Sequence, residues 1–211
     1  ISQPGAIFLD VPTGVRVRQV LAFWAGQSND PTSGDDSLEL DGHLVHGELV
    51  GGPTLFFQAA GKPFYTWSYR ADVTGLGLIA PGENTIVVEG LDFQSLFASD
   101  KGVGLVAIFD DGSAADIQVR EGDDNAYELF APPLDSTEPQ VFTFAPSSRE
   151  RMADLSLIVA AIVDGQSNAV SLKIDDGPEE LRWNLLTAAD GPEWDTASLQ
   201  VKIPAGATKL T

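Results

Sequence analysis

The sequence predicts an all-β protein of two tandem, related antiparallel β-sandwiches, jelly-roll or immunoglobulin-like, over residues 1–112 and 113–211, the second short of a strand. Three observations carry this expectation. Apolar stretches of about five to nine residues recur between clusters of Gly, Pro, Asp, Asn and Ser, the punctuation of strands and turns. Segments of helical period are nearly missing. Blocks of the first half return, in the same order, in the second.

Taken in order, the expected strands are Ile7–Val11, Val15–Trp24, Ser37–Leu40, Thr54–Gln58, Tyr65–Val73, Asn84–Glu89 and Val103–Phe109, followed by Ala115–Arg120, Gln140–Ala145, Leu155–Val163, Ser171–Ile174, Arg182–Leu186, Ser198–Ile203 and a last one from Lys209. Within these, Gln19–Ala25, Gly104–Phe109 and Leu155–Val163 are almost continuously apolar, the pattern of central strands covered on both faces. Tyr65–Val73 instead alternates, which sets Tyr65, Trp67 and Tyr69 on one face. Short helical turns are expected at Leu91–Ala98, as a crossover, and at Asn125–Phe130.

The repeat begins with FLDVP (Phe8–Pro12), an Arg-containing stretch, VLAFWA, GQSN (Gly26–Asn29) and SLELDG (Ser37–Gly42). It returns as FTFAP (Phe142–Pro146), an Arg-containing stretch, LIVAAIVD, GQSN (Gly165–Asn168) and SLKIDDG (Ser171–Gly177). PGENTIVV (Pro81–Val88) resembles PAGATKLT (Pro204–Thr211). The first copy then continues through VEGLDF to the apolar GVGLVAIF (Gly102–Phe109), which has no counterpart in the second. An unfilled slot exposes apolar surface and unpaired backbone groups, so a strand is expected to fill it, from a continuation of the chain or from a neighbouring subunit. Ile1–Leu9 is a poor donor, because Phe8–Pro12 matches a block inside the second copy.

Composition narrows the function. Asp and Glu number 31 against 12 Lys and Arg, a net charge of −19, and no basic face is available to displace counterions from nucleic-acid phosphates. An anionic membrane would repel the chain, and no apolar run approaches the roughly 18 residues of a membrane span. The 43% hydrophobic content suits a folded core. With no cysteine there are no disulfides, Cys-ligated metals or thiol nucleophiles. The chain opens at Ile1 without Met or a leader, which reads as a processed product or an excised piece.

Asp30, Asp35, Asp36 and Asp41 follow the first GQSN in a Gly-containing loop, and clustered carboxylates in such a loop suit calcium, a hard cation that takes six to eight oxygens. Asp110, Asp111 and Asp116, and Glu121, Asp123 and Asp124, form further clusters; none has EF-hand spacing, and solvated loop charge is the plainer reading of each. His43 and His46 lie in DGHLVHGE; in an extended segment they point to opposite faces and cannot share a metal. There is no G-x-S-x-G elbow and no phosphate-cradling loop. Carboxylate pairs for a glycosidase are too abundant to be informative. Tyr65, Trp67 and Tyr69 form either a sugar-stacking platform or core, and large aromatics favour the core.

The succession VRQVLAFWAGQ, SLELDGHLV, YRADVTGLGLIAPGENTIVVEGLDF and GVGLVAIFDDGS, covering roughly Val15–Ser113, resembles an uncharacterised family of secreted bacterial and archaeal β-sandwich domains of surface proteins, described as a domain of unknown function. The resemblance implies an extracellular module and supplies no active-site residues. The expectation is therefore a non-catalytic structural or adhesive protein at the cell surface, self-associating into a fibre by strand complementation. A carbohydrate-binding module for a polysaccharide is the alternative, and an acidic glycoside hydrolase the third reading.

Overall fold

The computed structural model describes residues 3–32, 34–93 and 98–211. The chain is all-β and antiparallel, and it divides into two compact units. The first is Ile1–Ala115 with Glu121–Asp123, and the second is Asp116–Arg120 with Asp124–Thr211.

The first unit holds β1 (Gly5–Val11), β2 (Arg16–Ser28), β3 (Ser37–Leu40), β4 (His43–His46), β5 (Glu48–Ala59), β6 (Lys62–Asp72), β7 (Gly82–Glu89) and β8 (Ala98–Asp110). They form two four-stranded sheets of order β1-β7-β3-β4 and β5-β6-β2-β8. Alternation drives the layering: Leu38 and Leu40 of β3 and Ile86 and Val88 of β7 project from one sheet, while Val20, Ala22 and Trp24 of β2 and Trp67, Tyr69 and Ala71 of β6 project from the other. Trp24, 1% exposed, stacks on Tyr69 with ring centroids 5.7 Å apart, and its indole N–H donates to the Asp35 carbonyl at 2.9 Å. Gly47 makes room for it, since a Cβ there would lie 2.4 Å from Trp24 Cη2. Glu121–Asp123 belongs to this unit because it docks on β5 and β6. Asp123 accepts from Thr66 Oγ1 at 2.8 Å and Ser68 Oγ at 3.4 Å, and Glu121 pairs with Arg70.

The second unit holds β9 (Phe142–Thr143), β10 (Arg151–Ala160), β11 (Ala169–Lys173), β12 (Glu179–Trp183), β13 (Trp194–Ile203) and β14 (Lys209–Leu210). Its pairings are β9 with β14, β11 with β12 and β10 with β13, and a bridge from Ile174 to Leu210 links the first two. Each has a counterpart in the first unit: β1 with β7, β3 with β4, β2 with β6, and β3 with β7. Even the turn after the third strand repeats. Asp41 and Asp175 both adopt φ 47°, in the left-handed region that Asp tolerates. Asp41 N–H donates to the Val87 carbonyl at 2.9 Å and Asp175 N–H to the Lys209 carbonyl at 3.0 Å. Leu172, Val201, Ile203, Ala207 and Leu210 form the buried centre, flanked by Phe142, Phe144 and Leu155.

Several expectations need correction. Ala115–Arg120 is not a strand: no neighbour ladders with it among the described residues, and it is held by side chains, Gln118 Nε2 to the Thr143 carbonyl at 2.7 Å and Arg120 to the Val141 carbonyl at 3.0 Å. The helical turn at Asn125–Phe130 is a single hydrogen-bonded turn, with Phe130 N–H on the Tyr127 carbonyl. In Leu91–Ala98, residues 94–97 lie outside the described residues. The apolar runs in β8 and β10 are not central: both strands terminate their sheets. Only β2, paired by β6 and β8, has the central place that such a run suggests.

Candidate interaction edge

The acidic loop does not gather its four aspartates into one cluster. Asp30 Oδ1 accepts from Thr32 N–H at 2.8 Å and Thr32 Oγ1 at 2.7 Å, closing its own turn. Asp41 Oδ1 accepts from Val87 N–H at 2.7 Å. Asp36 approaches the Tyr69 hydroxyl, whose pKa is raised first by burial and then by that charge. Asp35 meets a residue that sequence reasoning missed, Asp100 of β8. Among the described residues no three His, Asp or Glu side chains are grouped to hold a metal ion.

Asp100 is 2% exposed, and Asp92 N–H donates to its Oδ2 at 2.7 Å. Burial, a hydrogen bond with the Asp35 carboxyl and the charges of Asp35 and Asp92 push its pKa up to about 8, against the lowering effect of the Asp92 N–H. Gly26 of the repeated GQSN is what lets it pack there, because a Cβ would lie 2.6 Å from Asp100 Oδ1. A cavity of about 340 Å³ borders this pair, lined also by Gln27, Ser28, Asp92 and Trp67. Asp100 was hidden in the sequence because the strand was expected to begin after it, at Val103.

Of the aromatic trio, Trp67 and Tyr69 are buried in the core and Tyr65 is half-buried, so this face of β6 is core and not an open platform. Trp67 Nε1 is buried without a hydrogen-bond partner. His43 and His46 sit on β4, opposite Leu40 and Ser37 of β3, and both are exposed.

The larger irregularity is at β10. In the first unit β2 has β6 on one side and β8 on the other. In the second, β10 has β13 on one side and, among the described residues, nothing on the other. Ala161 N–H donates to the Glu193 carbonyl at 2.8 Å, which fixes the parity of the ladder. Odd residues of β10 bond inward to β13, and the N–H and C=O groups of Met152, Asp154, Ser156, Ile158 and Ala160 point to the free side. Ser156 Oγ and Ser198 Oγ lie 3.0 Å apart, the close approach of a non-hydrogen-bonded pair, which agrees with that parity. From Leu157 to Ala160 the strand stays only half-buried on both faces. Exposed Met152, Val163 and Trp183 add apolar surface to this unit.

No family model, no curated protein and no solved structure matches the chain. The class is thus defined by the fold alone: an all-β protein of sandwich-like antiparallel sheets.

Proposed function

We propose that this protein is a non-catalytic structural or adhesive module of the cell exterior, whose second unit is completed by a guest β-strand added to β10. The observation that carries the reading is the free edge of β10, in the position where β2 has β8 beside it. Main-chain hydrogen bonds supply affinity in strand addition, and alternate side chains supply specificity. The strong acidity and the resemblance to secreted surface domains support an extracellular setting. Ser156→Pro tests it. Proline is tolerated on an edge strand whose N–H faces outward, so the unit should fold while strand addition is blocked. Sedimentation and negative-stain imaging over a concentration series should show assemblies for the wild type and monomers for the variant. A wild type that stays monomeric throughout would remove the proposal.

Carbohydrate binding is the second reading, favoured by Trp183, which β12 holds 65% exposed. Polysaccharide pull-down with Trp183→Ala tests it, and no retention of the wild type on any glycan ends it.

A further inference from the structure

Resting on β10 as an edge that takes a guest strand, we infer that the guest is the β8 edge of a second copy of this chain, so that copies join head to tail. The outer edges of the two sheets concerned differ in how they are protected. β5 is a defended edge: it carries Pro53, its register against β6 is broken three times, and Gly51 lies under Asp123, where a Cβ would come within 2.2 Å of the Asp123 nitrogen. β13 is covered in part by the loop before it, with Thr196 N–H on Asp190 Oδ2 at 2.9 Å. On β8 such cover reaches Asp100, whose N–H donates to the Asp92 carbonyl at 2.7 Å; past Lys101, Gly102–Phe109 has none among the described residues, and neither has β10. Gly102–Phe109 has neither a charge nor a proline, and Arg151–Ala160 holds one charge, Asp154, beyond its first residue. Lysine and proline are the usual guards of an exposed edge, and both are missing from these runs.

The free groups of β8 follow from the ladder. Val73 N–H donates to the Val20 carbonyl, so Val20 faces away from β8, while Leu21 and Phe23 face it. Their partners Val106 and Gly104 bond back to β2, leaving Val103, Leu105, Ala107 and Phe109 with N–H and C=O groups outward and unpaired among the described residues. Both runs have the composition of central strands and both stand at the end of a sheet, so joining them satisfies two mismatches at once. The first unit shows which side of β10 is open: β2 takes β8 there through the inner edge of β8, and the guest copy offers the outer edge of its β8 to the same side of β10. Two different edges make a heterologous contact, which propagates as an open chain of copies unless its rotation closes a ring.

The test uses the whole chain and two edge-blocking substitutions, Ala107→Pro on β8 and Ser156→Pro on β10. Each alone is expected to be monomeric in analytical ultracentrifugation. Mixed, they should give a one-to-one complex of about twice the monomer mass that grows no further, since only the Ser156→Pro copy offers β8 and only the Ala107→Pro copy offers β10. Monomeric Ser156→Pro with Ala107→Pro still assembling would overturn β8 as the guest while leaving the β10 reading in place. Assembly by both single variants, or a monomeric wild type, would overturn both. If a proline variant loses its cooperative melt, the single-cysteine variants Ser156→Cys and Ala107→Cys, both at positions whose backbone groups face the joint, replace the pair in this cysteine-free chain. A disulfide formed between the two variants in excess of either alone supports the contact, and equal yields overturn it.

Discussion

Asp100 gives this protein an unusual dependence of stability on pH. Its carboxyl is 2% exposed and its pKa is pushed up to about 8 from an ordinary 3.8, so the folded state holds a proton that the unfolded state releases. Across the window between those values the folded chain binds more protons, and stability falls as pH rises, levelling off above about 8. From pH 5.5 to 8 the slope of 1.36 kcal/mol per unit amounts to about 3 kcal/mol, a large part of a domain's stability. At about 2–4 °C per kcal/mol, the melting temperature should drop by roughly 10 °C. Asp100→Asn keeps an acceptor for Asp92 N–H and a donor toward Asp35, and it removes the titration. Calorimetry at pH 5.5, 6.5, 7.5 and 8.5 should therefore show a falling wild-type melting temperature and a nearly level one for the variant. Parallel slopes would refute the assignment of a buried, protonated Asp100.

Gly47→Ala should destabilise the first unit by about 1–3 kcal/mol, because its Cβ would come within 2.4 Å of the Trp24 ring; urea denaturation measures it. Asp195 is 2% exposed and accepts the backbone N–H groups of Thr187, Ala188 and Thr196, so Asp195→Ala should cost the second unit about 2–4 kcal/mol, with hydrogen exchange rising first in the Thr187–Ala188 loop. Trp67→Ala, at a side chain only 5% exposed, should lose about 3–5 kcal/mol by the same denaturation assay. An unchanged melt accompanied by lost glycan retention would contradict its place in the core.

Strand identity was readable where alternation and turn residues agreed, as in Ile7–Val11, Ser37–Leu40 and Asn84–Glu89, because those strands bury one face and expose the other. The aligned SLELDG and SLKIDDG blocks each end in a turn whose Asp, Asp41 or Asp175, has φ 47° and donates its N–H to a neighbouring strand. Strand position was not readable. An apolar run says that a strand has much surface to cover, and it cannot say whether the cover lies in the same chain, which is why β8 and β10 were expected at sheet centres. Ala115–Arg120 has strand composition, yet a strand exists only where a neighbour accepts its hydrogen bonds. Asp100 escaped notice for a related reason: its role depends on Asp35 and Asp92, which are distant in sequence or lie outside its strand.

The path of the chain near residues 116–123 constrains anyone who wishes to cut it. Compactness assigns Asp116–Arg120 to one body and the next three residues to the other, so a scission at a composition boundary such as Gly112 would strip the first body of Glu121 and Asp123. Arg70 would lose one of its two acidic partners, and the hydroxyls of Thr66 and Ser68 would lose the carboxylate they share. A fragment meant to stand alone has to run through Asp123.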